Sequence, residues 1–346
     1  MRDPGKRPRR HRVPLGAVVP FALLVAAAAA WSLAWYLRAE DIVARLGEWR
    51  SWAAQHGTIL VCEEEATGGY PFRFTFECTS PVVTVGAGAG SHRLVAQRLH
   101  AVALIYDPRH VIIEIDTPAE IRAPDRRMLA AGGEDAMRAS VELTEGRLGR
   151  LSVVLPAIEV MQDGPGGPFL TAEWGEIHMR LRRDEAALDL ALKSGAAKLL
   201  RPDHGDHIDI DSLDAVAVIN DLPDADAADF GTWLEAWRAG GGIAEIQRLS
   251  FDSPELGGDA AGTVNLTAAG LVEGALDARL TKIDAFIDAL ERRGVIDANQ
   301  KQILRGAAGI FASVSEGRPT VRLAVRVRDG EIYLGPVRVA TLPPLI

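Results

Sequence analysis

A chain of 346 residues, 48% hydrophobic and 25% charged, is long enough for one large domain or two ordinary ones with a substantial core. Its formal charge of −9 hides a step: residues 1–12 carry six Lys and Arg against one Asp, and the rest carries 32 against 46, a formal charge of −14. Such an acidic body has no basic stripe for phosphate backbones, which excludes nucleic acid as a partner and leaves membrane orientation as the use of the basic tail.

After that tail (1–12), the run 13–37 holds no charged residue. At ~1.5 Å per helical residue it crosses a hydrocarbon core of roughly 30 Å. The cationic flank, Arg2 to Arg12, marks the cytoplasmic side, so the expected topology is a single pass through a bacterial inner membrane with the bulk of the chain in the periplasm. Ala26 to Ala30 would suit a signal peptidase. The run is longer than a typical signal core, however, and continues through Trp31, Leu33, Trp35, Tyr36 and Leu37, which favours an uncleaved anchor with an outer aromatic belt.

Residues 38–56 read as a juxtamembrane amphipathic helix, with Ile42, Leu46, Trp49, Trp52 and Ala53 on one face. From Gly57 the pattern turns to period two and the remainder, 57–346, reads as a β-rich domain. Thr58–Cys62 and Phe72–Cys78 are expected to pair as a hairpin across the turn Ala66–Pro71. The only cysteines, Cys62 and Cys78, fall on the exported side with C-x15-C spacing. In an oxidising compartment that pair reads as a disulfide, worth roughly 3 kcal/mol for a loop of this length in the chain-entropy model. No CxxC or histidine pair completes a zinc set.

Strand-like segments recur at Val82–Val85, Arg93–Tyr106, Val111–Ile115, Ala139–Leu143, Gly149–Met161, Leu170–Leu181, Ala187–Leu192 and Ala215–Val218, joined by turn-forming stretches such as Gln162–Pro168. Helices are expected over Ala225–Ala239, Lys282–Arg293 and Asp297–Val314, with strands at Ala244–Asp252, Gly262–Ala268, Gly274–Leu280 and Thr320–Arg328. The fold class is α+β, mainly antiparallel β in an extended curved sheet with several helices, preceded by one transmembrane helix.

The arginine-rich start, the single span, Cys62, Gly69-Tyr70-Pro71-Phe72-Arg73, Cys78 and the ending Leu342-Pro343-Pro344-Leu345 resemble the alphaproteobacterial domain-of-unknown-function 2125 family. The resemblance runs from the anchor to the C-terminus, and the cysteine hairpin is its specific part. It brings no activity with it. More distantly, Leu249 to Leu280 is similar to AsmA-like and TamB-like envelope proteins, which implies an N-anchored elongated β structure associated with lipid transport.

Candidate chemistry is sparse. His204 and His207, among Asp203, Asp206, Asp209 and Asp211, are the densest potential metal ligands, although an acidic turn before a strand gives the same letters. Asp221–Asp229 lacks the spacing of a calcium loop, Gly86–Gly90 lacks a phosphate-loop context, and Glu63–Glu65 are acids at a strand end. Neither a serine nucleophile elbow nor an HExxH helix occurs, and no cofactor is implied. Gly69, Tyr70, Pro71, Phe72 and Arg73 read either as a recognition tip or as the seating of a hairpin. The expected role is binding or scaffolding in envelope lipid homeostasis or transport, with the membrane, lipid and other envelope proteins as partners. A periplasmic enzyme, metal-dependent through His204 and His207, and an assembly factor that binds envelope proteins are the alternatives.

Overall fold

The computed structural model describes residues 15–86, 91–123, 126–130, 135–162, 168–201, 206–223, 230–315, 318–335 and 337–345. It begins with α1 (Leu15–Gln55), 41 residues in one unbroken helix of about 60 Å. Its apolar part, from Val19, is long and apolar enough to cross a membrane. The juxtamembrane segment is thus the continuation of the anchor rather than a separate helix. Ala39, Ile42 and Leu46 pack on the first strands, while Trp49 and Trp52 remain half exposed on the other side, so the packed face is narrower than the amphipathic pattern implies. Gly57, at φ +78°, ends the helix in the left-handed conformation that glycine accepts without strain.

Beyond it, strands come in successive pairs. β1 (Thr58–Val61) is followed by β2 (Glu64–Gly68), β3 (Arg73–Thr79) by β4 (Val82–Val85), and β5 (His92–Val95) by β6 (Arg98–Leu104). β7 (Asp107–Ile115) precedes β8 (Ala119–Arg122), β9 (Arg126–Ala130) precedes β10 (Met137–Thr144), and β11 (Arg147–Leu155) precedes β12 (Ile158–Gln162). The last pairs are β13 (Leu170–Ala172) with β14 (Gly175–Arg182), β15 (Ala187–Ser194) with β16 (Ala197–Arg201), and β17 (Asp206–Ile210) with β18 (Ser212–Ile219).

In every pair one arm belongs to a 9-stranded sheet, β1-β4-β5-β8-β9-β12-β13-β16-β17, and the other to a 16-stranded sheet that begins β2-β3-β6-β7-β10-β11-β14-β15-β18. All pairings are antiparallel. Most links between arms are one to three residues, among them Ser80-Pro81, Pro156-Ala157 and Gly195-Ala196. The ladder continues through them: Glu63 N donates to Thr79 O at 2.9 Å, Ser80 N to Gln97 O at 2.8 Å, and Glu173 N to Ala196 O at 2.9 Å. The two sheets are therefore the two leaves of one antiparallel meander, creased along a line that every strand crosses.

After β18 the smaller leaf stops and the larger sheet runs on alone. α2 (Phe230–Ala239) returns the chain, and Trp237 donates its indole N–H to Asn220 O at 2.7 Å. Then come β19 (Ala244–Asp252), β20 (Gly257–Leu266), β21 (Val272–Thr281), α3 (Ile283–Arg292), α4 (Ala298–Phe311), β22 (Ala312–Ser315), β23 (Arg318–Arg328), β24 (Glu331–Leu334) and β25 (Val337–Thr341). Asp297 caps α4 in a capping box with Gln300, and Lys301 bonds to Glu291 and Asp288 to join α4 to α3.

Three expectations need correction. The expected hairpin partner of Phe72–Cys78 is wrong: β1 pairs with β4, and the partner of β3 is β2, which covers Glu64 to Gly68. Arg93–Tyr106, Gly149–Met161 and Leu170–Leu181 are not single strands, because each is cut by the crease at Ala96-Gln97, Pro156-Ala157 and Glu173-Trp174. The smaller-leaf strands β8, β9, β16 and β17 lay outside the sequence reading; the last was read as an acidic turn. Most of the Ala225–Ala239 helix is present from Phe230 on, and residues 224–229 lie outside the described residues.

Cys62 and Cys78 are bonded, with Cα atoms 5.4 Å apart. Cys62 stands in the first crease and Cys78, fully buried, in β3, so the bond pins the fold line to the large sheet. Cys78→Ser is expected to lower unfolding stability by roughly 2–5 kcal/mol in denaturant titration. Peptide mapping of thiol-trapped protein from whole cells should recover the linked pair; two free thiols would place the domain in a reducing compartment.

Candidate functional site

The leaves differ sharply in their two faces. In the large sheet, one cross-strand row starts at Phe76 and passes through Ala101, Ile113, Ala139, Val153 and Ile177, one residue per strand. It continues through Leu192, Ala215, Leu249, Ala260, Ala278 and Leu323 without a polar interruption. A parallel row contains Phe74, Ala103, Val111, Val141, Leu151 and Met179. The small leaf carries its own row, Leu60, Val83, Leu94, Ile121 and Met128, then Val160, Leu170, Leu199 and Ile208.

These apolar faces look toward each other. Leu94 of the small leaf packs with Ile115, Met137 and Leu155 of the large one around the crease residue Ala96. Leu60 likewise joins Phe74 and Phe76. A Cβ on Gly175 of the large sheet would stand 3.3 Å from Cδ1 of Ile158 in the small one, tighter than usual packing, so the leaves approach closely at the fold line. On the outer face of the large sheet, cross-strand ion pairs alternate: Arg138–Glu114 at 3.2 Å, Arg150–Glu142 at 3.3 Å, Arg180–Asp189 at 2.6 Å and Arg248–Asp214 at 3.0 Å. That face is the wet one.

Burial along the rows divides the interior into ends and middle. At the first end α1 lies on the inner face, and Phe74, Phe76 and Cys78 are 6%, 6% and 0% exposed. At the far end Ile283 of α3 covers Ala260, Ala278 and Leu280, which are 6%, 3% and 4% exposed. Between them Ala139, Val141, Leu151, Val153, Ile177, Met179, Leu190 and Leu192 are all only half-buried. The geometry is a two-leaved apolar trough, closed along the crease and stoppered by helices. The partly buried stretch from β7 to β18 is about 24 Å long at roughly 4.8 Å per strand.

The Gly69–Arg73 tip seats the sheet on the anchor. Gly69 has φ +101°, and a Cβ there would stand 2.6 Å from Arg73 O, so the turn needs glycine. Trp31 donates its indole N–H to Pro71 O at 2.9 Å, Trp35 donates to Arg73 O at 3.1 Å, and the Ser32 and Tyr70 hydroxyls are 2.7 Å apart. Trp35 meets Tyr70 edge-on at 5.4 Å, and Phe72 lies 6.0 Å from Trp31. Trp31, Trp35 and Tyr36, read from the sequence as an aromatic belt, are thus also the dock for the tip. Arg73 turns its side chain to solvent and contributes its carbonyl.

The remaining candidates that lie among the described residues do not form a cluster. His207 is exposed on β17, His204 lies outside the described residues, and no group of three or more His, Cys, Asp or Glu able to hold a metal ion occurs among the described residues. Glu65 pairs with Arg50 at 3.0 Å and Glu63 accepts from Ser80 at 3.0 Å. Residues 87–90 of the glycine-rich stretch also lie outside the described residues.

Against models of protein families, residues 35–343 match the one described as "uncharacterized protein conserved in bacteria (DUF2125)". The chain belongs to this family. The match therefore takes in the tip, both leaves, and the helices that close the far end. It does not speak for the more distant AsmA-like and TamB-like likeness. No curated protein matches the chain.

The dock predicts that Trp35→Ala, which removes a buried indole and its bond to Arg73, costs about 3 kcal/mol. Limited proteolysis should then cut between Gly69 and Arg73 faster than in the unsubstituted protein, with the strands beyond still protected.

Proposed function

We propose that this family member binds the acyl chains of a lipid in the trough, at the periplasmic face of the bacterial inner membrane. The observation that carries the reading is the contrast along one apolar row, fully buried at the two helix-covered ends and only partly buried between them. Monomeric soluble proteins rarely leave apolar patches of this extent uncovered, and those that do use them for binding. A leaflet's hydrocarbon layer is roughly 15 Å thick, half of the membrane core, so a stretch of about 24 Å has room for an extended acyl chain.

Orientation is supported by the basic residues 1–12 before the span and by the disulfide after it, which fits an oxidising compartment. The anchor and its dock hold the trough at the bilayer surface, where lipids are available. Lipid homeostasis or transport is the process such a binder serves. An assembly factor would instead offer its apolar face to another protein. A metal-dependent enzyme would have to use His207, which stands exposed on β17, together with His204, which lies outside the described residues.

Mass spectrometry of gently solubilised full-length protein should find phospholipid in stoichiometric amount. Met179→Asp puts a carboxylate in the half-buried row between Leu151 and Leu190. It is expected to strip the lipid while leaving the circular-dichroism spectrum and the disulfide intact. Global unfolding of that variant would mean that the row is closed core, because an unpaired charge there carries a large desolvation cost.

A further inference from the structure

A cleft of about 470 Å³ opens between α1 and the first edge of the large sheet. Its helix wall runs from Trp35 and Tyr36 up to Val43 and Ala44, and its sheet wall is Thr67, Gly68 and Phe74. Because α1 is unbroken, height along the helix translates into depth in the bilayer. The aromatic residues at 35 and 36 mark the acyl boundary, and the headgroup layer above it, roughly 5–8 Å thick, spans about four or five helical residues. Val43 and Ala44 therefore stand just past the headgroups. The same cleft runs from the acyl boundary to the edge of Phe74, which lies in register with Ala103 and starts the second inner row beneath α1.

The wall chemistry suits passage of a hydrocarbon chain. Val43 is 46% exposed and Ala44 is small and exposed. Gly68, across the cleft on β2, has no side chain to narrow it. Among the described residues β2 is the edge of the large sheet and pairs only with β3, so no further described strand closes this side. Glu40 stands at headgroup height among these apolar residues.

From this geometry we propose that the cleft between α1 and the β2 edge is the lateral portal by which an acyl chain passes from the outer leaflet of the spanned bilayer over Phe74 into the trough. The portal rests on the lipid-binding reading, and its test separates the two. Full-length protein carries a bimane on Ser194→Cys, an inner-face position in register with Gly175 and Leu213. It is placed in vesicles of phosphatidylethanolamine and phosphatidylglycerol containing a phospholipid with a nitroxide on its acyl chain. A parallel sample in detergent receives a nitroxide fatty acid directly.

Quenching is expected in both settings. Ala44→Trp, which fills the cleft from an exposed position, should abolish the fast quenching from vesicles and leave quenching in detergent unchanged; Val43→Trp should do the same from the neighbouring position. If both variants quench from vesicles as fast as their parent, the portal is wrong and the trough stands. If the parent itself is quenched in neither setting, the lipid-binding reading falls and the portal with it. Loss of quenching in detergent as well as vesicles for both variants would assign the cleft residues to the trough itself and overturn a separate entry path.

Discussion

The whole domain depends on a backbone ladder that survives a bend. Nine consecutive strand pairs cross one line, and at that line the hydrogen bonds pass from large leaf to small leaf through links as short as Cys62-Glu63 and Gly195-Ala196. Since a strand's faces alternate and pairing registers hold across the bend, a row of apolar residues on one arm requires a facing row on the other. The disulfide strengthens this line at its first crossing, where fewer neighbours support it. At Gly195 the indole of Trp174 leaves no room for a Cβ, which ties glycine to the bend there.

A folded sheet of this kind must manage its ends. At the leading edge β1 packs on α1 while β2 stays exposed from Glu64 to Thr67, and Arg50 of that helix lies over the Phe76 ring at 5.1 Å while pairing with Glu65. The last strand of the small leaf, β17, carries exposed His207 and Asp209. Charges along an edge strand discourage pairing with another chain. Of the residues that looked most like metal ligands, His207 and Asp209 thus stand on that edge. The far end of the interior is filled by α3 and α4 at the place where the small leaf stops.

Period-two patterning made the β class legible from sequence, three- and four-residue spacing the helices near the C-terminus, and an uncharged run the long apolar N-terminal helix, because each rests on spacing or composition within a few residues. The cysteine pair was legible from compartment and count. The crease was not, since alternation runs straight through Gly149–Met161 and Leu170–Leu181 while the backbone changes sheet in the middle. Strand partners were missed for the same reason: β1 looked like the neighbour of β3 in sequence, yet its bend sends β2 there instead. Short arms such as Ala119–Arg122 and Ala197–Arg201 carry too few residues to show a period. The trough was legible only as an alternating sheet; its openness is a matter of which rows the helices cover, and that emerges only in three dimensions. The tip residues were recognisable as a motif, but their dock on Trp31 and Trp35 joins positions about 40 apart in the chain.

The central claim is that the half-buried rows are occupied by acyl chains rather than by each other. A cryo-electron microscopy map of the full-length protein in nanodiscs formed from its native membrane tests it most directly. The account predicts continuous tubular density between the leaves, lying along Val153, Ile177 and Leu192 and ending against α1 and α3. Leaves closed on one another beyond the contact at Leu94, with the small-leaf row from Ile121 to Leu199 in direct contact with the large-leaf row and no space between them, would contradict it.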